Sequence, residues 1–201
     1  MNKLKTIIQL FKALRNKKFI GDIALLKAAL LSPSENLSLK KKTQELLENN
    51  RVQPKLEDLA RYTEGSLGKE YYHFIKKNNL DLLNFSSNHT QLLQKYPVSA
   101  RYIQLHDLYH VLLGFDTSIL GELAVYSFIR QKEYSSTLNS SYSVAKAISF
   151  ILYIFNLKLL KEFDNRGRQL GLTSKELISV DWHKRLQEPL ADLRKEFQIE
   201  V

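Results

Sequence analysis

Apolar residues recur at three- and four-residue intervals along nearly the whole chain, and that period predicts helices. The spacing places them at about 3–18, 21–31, 38–49, 54–63, 67–78, 98–114, 117–132, 143–163 and 184–197. No stretch alternates apolar and polar positions with β-branched enrichment, so no substantial sheet is expected. The expectation is all-α: a single-domain helical bundle of about eight to nine helices over residues 1–201, without internal repeats. Ser32-Pro33-Ser34 and Arg51 to Pro54 read as connections. Tyr134 to Ser143 carries no charge, is rich in small polar residues, and reads as an exposed loop.

Composition sharpens this picture in two places. Cysteine is absent, which excludes a disulfide framework, thiolate metal sites, a catalytic thiol and iron–sulfur ligation. Nothing then demands an oxidising compartment, and a cytoplasmic location is the default. The formal charge of +9 is concentrated at the start, where Lys3, Lys5, Lys12, Arg15, Lys17 and Lys18 precede the first acid, Asp22. Leu4, Ile7, Ile8, Phe11 and Leu14 share a helical face there, so residues 1–20 read as a basic amphipathic helix. Such a helix suits an anionic membrane surface, or packs as a first helix with a solvated basic face. Lys12 and Arg15 interrupt the apolar run, which argues against an export signal. No motif for reading bases is present, and no nucleic-acid partner is expected. The most apolar run, Ala147 to Leu157, lies between Lys146 and Lys158 and is too short to span a bilayer. It reads as a buried helix or the wall of an apolar pocket.

The candidate chemistry sits in one stretch. His106 and His110 are four apart, so on a helix both imidazoles reach one ion. Asp107 lies three before His110 and shares the same arc. Gly114 to Ser118 then breaks the helix, and a second helix capped near Asp116 or Thr117 would carry Glu122 back to the histidine pair. Two imidazoles with one or two carboxylates suit zinc first, with iron, manganese or magnesium as alternatives. Fewer than four firm ligands would leave a position for water or substrate, as catalytic sites do. Asp107 would serve as base or orienting group if it is not itself a ligand. Of the other histidines, His73 beside Tyr71, Tyr72 and Phe74 reads as packing, His89 as solvated, and His183 as a surface or pocket residue.

At these positions the chain resembles the coenzyme Q biosynthesis protein four family. That family's hallmark is His-Asp-x-x-His, eleven residues, then Glu, matched here by His106, Asp107, His110 and Glu122. The intervening Leu112-Leu113-Gly114-Phe115-Asp116-Thr117-Ser118-Ile119-Leu120-Gly121 is also similar. So are Gly65-Ser66-Leu67-Gly68 with Tyr71, Arg166-Gly167-Arg168-Gln169-Leu170-Gly171, Asp181-Trp182, and Pro189-Leu190 with Arg194. The resemblance covers roughly residues 60–200, and His183 departs from it where an acid is expected. It implies an all-α fold and a divalent metal held by His106, Asp107, His110 and Glu122. It also implies a polyprenyl lipid or prenyl phosphate as ligand, and membrane-peripheral work in ubiquinone synthesis. That work is either oxidative decarboxylation or hydroxylation at ring carbon 1, or the organising of other quinone biosynthesis enzymes. A prenyl tail needs an apolar wall, for which Phe150, Ile151, Ile154 and Phe155 are candidates, and Arg166 and Arg168 are candidates for an acidic headgroup. An apolar surface left over would serve a homodimer or a membrane.

Two other classes use related residues. A His-Asp phosphohydrolase would need His73 or His89 with Asp164. A zinc protease would need Glu as general base where Asp107 stands.

Overall fold

The computed structural model describes residues 3–15, 20–49 and 54–201. The expected ends of the first helix at 16–18 and the connection at 51–53 lie outside these. Among the described residues the chain forms helices α1 (Lys3–Arg15), α2 (Ile20–Leu30), α3 (Leu37–Asn49), α4 (Leu56–Leu59), α5 (Leu67–Lys77), α6 (Thr90–Lys95), α7 (Pro97–Leu113), α8 (Ile119–Lys132), α9 (Ser136–Leu152), α10 (Leu157–Thr173) and α11 (Leu190–Glu196). Short 3-10 turns occupy Ser87–His89 and Trp182–Arg185. Only isolated bridges, Glu35 with Ser135 and Ser66 with Pro189, have strand-like pairing among these residues. The fold is all-α, as the periodicity predicts, with more and shorter pieces than expected.

The central element is α7, buried at every position except His106. One side of it, through Tyr102, Leu105, Tyr109 and Leu112, enters the main core with residues of α5, α8 and α11. The other, through Ala100 and Ile103, packs under α2 and α6. Its start is fixed by Pro97 at the first turn, where a missing N–H costs nothing. Glu35, from the loop before α3, also accepts hydrogen bonds from the backbone N–H of Val98 (3.3 Å) and Ser99 (2.8 Å). A carboxylate there complements the positive end of the helix dipole. The helix ends at Gly114, whose φ of 71° is left-handed backbone that glycine adopts without a Cβ penalty.

The parallel pair α8 and α10 makes the closest helix contact. A Cβ on Gly167 would lie 2.0 Å from the Ala124 carbonyl oxygen, so the two backbones touch there. One turn on, Gly171 faces the Phe128 carbonyl in the same way. The Arg-Gly-Arg-Gln-Leu-Gly segment thus owes its glycines to packing.

Three expectations are corrected. Residues 143–163 are not one helix: Tyr153 to Asn156 form a turn, and Asn156 caps α10 by accepting from Leu159 N–H at 3.3 Å. Tyr134 to Ser143 is not a loop; Ser135 caps α9, which begins at Ser136 and packs along α8. The Ala147–Leu157 run is not buried: Phe150, Ile151, Leu152, Ile154 and Phe155 are all exposed. Tertiary contact with α8 overrode the weak helix propensity of the Ser-rich segment.

Candidate metal centre

The turn between α7 and α8 is built by short polar side chains. Ser118, not Asp116 or Thr117, is the cap of α8, accepting from Gly121 N–H at 3.1 Å. Asp116 braces it by accepting from the Ser118 N–H and hydroxyl. This reversal sets Glu122, in the first turn of α8, against the last turns of α7. His106 Nε2 lies 3.4 Å from one Glu122 carboxylate oxygen and His110 Nε2 lies 3.3 Å from the other. One ligand atom from each of the three residues falls within 4.8 Å of the other two, so His106, His110 and Glu122 can hold a metal ion together.

Surrounding groups orient the ligands. Tyr102, one turn before His106, places its hydroxyl 3.1 Å from His106 Nδ1, leaving Nε2 toward Glu122. A ring nitrogen tied back in this way is the usual support of a ligating histidine. Phe74 of α5 stacks on His110 at 5.6 Å between ring centres, and Tyr126 flanks His106 at 6.3 Å. Both ring nitrogens of His110 are buried; Nδ1 has no partner, and Nε2 has only the Glu122 carboxylate at 3.3 Å. A buried imidazole this poorly satisfied costs free energy, and a cation shared by Nε2 and Glu122 would relieve that cost. The residues therefore fit a divalent ion with nitrogen and oxygen donors.

Electrostatics point the same way. Burial would push the Glu122 carboxyl up, but hydrogen bonds and charge from His106 and His110 outweigh it and hold the carboxyl down to about 2. Burial would lower the His106 pKa, yet Glu122 raises it above its ordinary value. The carboxylate is thus ready as a ligand without having to lose a proton first.

Asp107 is not among the converging ligand atoms. It is buried beside them, and burial chiefly raises its carboxyl pKa against the opposing pull of both histidines. Glu122 also lines an apolar groove of about 420 Å³ with Leu31, Ile119, Tyr126, Val144 and Ile148. On the far side, His110 lines a larger polar cavity of about 930 Å³ with Glu70, Lys77 and Arg194.

The other proposed ligand residues lie elsewhere. Phe150, Ile151, Ile154 and Phe155 are exposed beyond the groove, whose wall on α9 is formed by Val144, Ala145 and Ile148. Arg166 and Arg168 are exposed on α10 and line neither cavity; Arg166 lies 5.1 Å over the Phe115 ring. His73 is not packed but half-exposed and paired with Glu64 at 3.0 Å, and His89 is not solvated but buried 3.7 Å from Asp22. Asp164 is engaged by Lys146, Ser127 and Tyr142. None of the three joins the His106 cluster, so the phosphohydrolase constellation is not assembled. His183 is half-buried in a small pocket with Arg101 and Gln104. Residue-by-residue reading missed Tyr102, although its spacing of four from His106 is the same signal that paired the histidines.

Fold and site together define an all-α protein with a His-His-Glu cluster whose glutamate lines an apolar groove. The chain belongs to the coenzyme Q (ubiquinone) biosynthesis protein Coq4 family, whose family model matches residues 34–201. That match reaches further toward the start than the motifs in residues 60–200. The chain is 27% identical over 161 residues to "Ubiquinone biosynthesis protein COQ4 homolog 1, mitochondrial" of Culex quinquefasciatus, covering 77% of this chain and 56% of that protein. It is 30% identical over 171 residues to "Ubiquinone biosynthesis protein COQ4 homolog, mitochondrial" of Danio rerio, covering 77% of this chain and 58% of that protein. This chain thus spans a little over half the length of these relatives. The crystal structure of a Nostoc punctiforme protein, described as a candidate ubiquinone biosynthesis protein, shares the fold. Its TM-score is 0.64 at 19% identity, over 99% of this chain and 97% of that one.

Proposed function

We propose that this chain is a metal-dependent component of ubiquinone-type biosynthesis that binds a polyprenylated quinone precursor. One observation carries the reading: three ligand atoms converge beside an apolar groove that Glu122 also lines. His106, His110 and Glu122 would hold the ion, zinc by preference. When bound, that ion supplies Lewis-acid polarisation to a carboxylate, phosphate or oxygen at the ligand's head. Around it the chain's own residues divide the work. Tyr102 fixes the His106 ring, Phe74 fixes the His110 ring, and Asp107 is assigned as the proton-holding or orienting carboxylate. Val144, Ile148 and Ile119 exclude water from an isoprenoid tail, each buried five-carbon unit contributing roughly 3–4 kcal/mol gross. The resemblance implies either chemistry at ring carbon 1 of a quinone precursor or the organising of other quinone biosynthesis enzymes, and the metal-ligand cluster makes the first our preferred reading.

A second reading, a non-catalytic lipid carrier or scaffold for quinone biosynthesis enzymes at a membrane surface, draws support from α1. There Leu4, Ile8 and Phe11 are exposed alongside Lys3 and Lys12. No helix among the described residues is long and apolar enough to cross a membrane.

The deciding measurement is elemental analysis of purified wild type, His110→Ala and Glu122→Gln, paired with mass spectrometry of co-purifying lipids. We expect about one divalent ion per wild-type chain, lost in both variants, since a site of three protein ligands does not survive the loss of one. Equal, negligible metal in all three would end the metal reading. Turnover of a prenylated hydroxybenzoate separates enzyme from carrier.

A further inference from the structure

The turn joining α9 to α10 exposes an apolar surface that the metal centre does not use. Phe155 is as exposed as in an isolated peptide, at 101%, and Ile151 is 70% exposed. Phe150, Leu152 and Ile154 around them are also exposed. A soluble surface rarely gathers this many large apolar side chains without a partner. We propose that this turn is a docking element that inserts shallowly into an anionic lipid bilayer.

Three observations select that occupant. The first is charge. From Tyr134 to Lys161 the chain has no acidic residue, and Lys158 and Lys161 stand exposed in the first turns of α10, with Glu162 the next acid. Lysines immediately beside an apolar tip meet lipid phosphates while the tip enters the acyl boundary. The second is the backbone. Non-helical backbone enters lipid only when its polar groups are already satisfied. Both ends of the turn meet this: Tyr153 N–H donates to Ser149 C=O at 2.9 Å, Asn156 N–H to Tyr153 C=O at 2.8 Å, and Leu159 N–H to the Asn156 side chain, while the tip itself stays in the hydrated interface. The third is continuity with the groove. Val144 and Ile148 line the groove and are themselves exposed, Ile151 continues their stripe on α9, and Phe155 follows in the turn. A docked tip therefore brings the mouth of the groove to the level of the lipid. The absence of a spanning helix among the described residues limits the depth to the interface. A side chain as bare as Phe155 projects outward, which suits penetration into lipid better than a flat face shared with a second copy. Docking requires neither the metal nor the bound precursor, so it stands or falls apart from the proposed function.

The test uses the full chain and vesicles of phosphatidylcholine alone or in equal mixture with phosphatidylglycerol. Wild type is expected to sediment with the anionic vesicles. The double variant Ile151→Ser, Phe155→Ser, with its melting curve as a folding control, should lose affinity by about tenfold or more. The variant Phe155→Trp supplies a direct probe, because Trp182, the sole native tryptophan, is buried. Its added emission should shift to the blue when anionic vesicles are mixed in. Undiminished binding by the double variant, no binding by wild type, or no blue shift would each overturn the proposal. So would a wild-type dimer that the double variant dissociates without any vesicle binding, since the tip would then be covered by a second copy.

Discussion

Helices α7 and α9 are each 17 residues long, and they are treated in opposite ways. All but one position of α7 is buried, whereas only Leu138 and Ser149 of α9 are. Composition does not explain this, because α9 is the more apolar of the two. Neighbours do. α7 is enclosed by α2, α3, α5, α6 and α8, while α9 leans on α8 and touches α10 only lightly. The fully enclosed helix can hold polar groups in fixed positions, including Arg101, Asp107 and His110, because packing constrains each one and hydrogen bonds to Gln104 and Val180 hold Arg101. The half-covered helix offers apolar surface instead. The proposed metal site and the proposed lipid contact thus fall on different helices, with Glu122 on α8 lining the groove beside α9 and facing the histidines of α7.

The largest expected effect breaks the comparison on the side of α7. Leu112 is almost fully buried, so Leu112→Ala should cost about 3 kcal/mol through lost transfer and a residual cavity. Ile151→Ala on α9 should stay within about 0.5 kcal/mol, as exposed substitutions do. Equal losses in urea melts of the two variants would mean that α9 is covered after all. Next comes the α8–α10 contact that supports both helices. Gly167→Ala forces a methyl against the Ala124 carbonyl and should cost about 2 kcal/mol. A neutral result would show that the two helices separate freely.

The sequence made the His106, His110 and Glu122 constellation legible because all of its determinants are local. Spacing of four on one helix and a glycine able to turn at 114 are visible in one short stretch, although the cap before Glu122 is Ser118 rather than the expected Asp116 or Thr117. The α7 start was not legible in full, because half of its cap is Glu35, more than sixty positions away along the chain. The division of 143–163 was legible and missed: Asn156 inside an apolar run is a capping residue, and it caps α10. The exposure of Phe155 could not be read at all. An apolar run has the same pattern whether a core or a bilayer receives it, and only the tertiary neighbours distinguish the two.

The smallest effect concerns how α9 is held. Lys146 of α9 donates to Asp164 of α10 at 2.7 Å and to Tyr142 at 2.8 Å, and Ser127 of α8 donates to the same Asp164 at 2.6 Å. Three helices therefore meet on one carboxylate. Burial would raise the Asp164 pKa, but the hydrogen bonds from Lys146 and Ser127 and the lysine charge lower it below its ordinary value. A carboxyl lowered in the folded state stabilises at pH above its unfolded value of about 3.9, and that contribution fades as pH falls through the folded value. Because Lys146 is half-exposed, Lys146→Met should cost only about 0.5 kcal/mol near neutral pH. The difference between wild type and variant in melting temperature should therefore shrink on acidification. A difference that stays constant to the acid limit would show that Lys146 acts through packing of its methylenes against Tyr142, and that α9 is held to the bundle without the carboxylate.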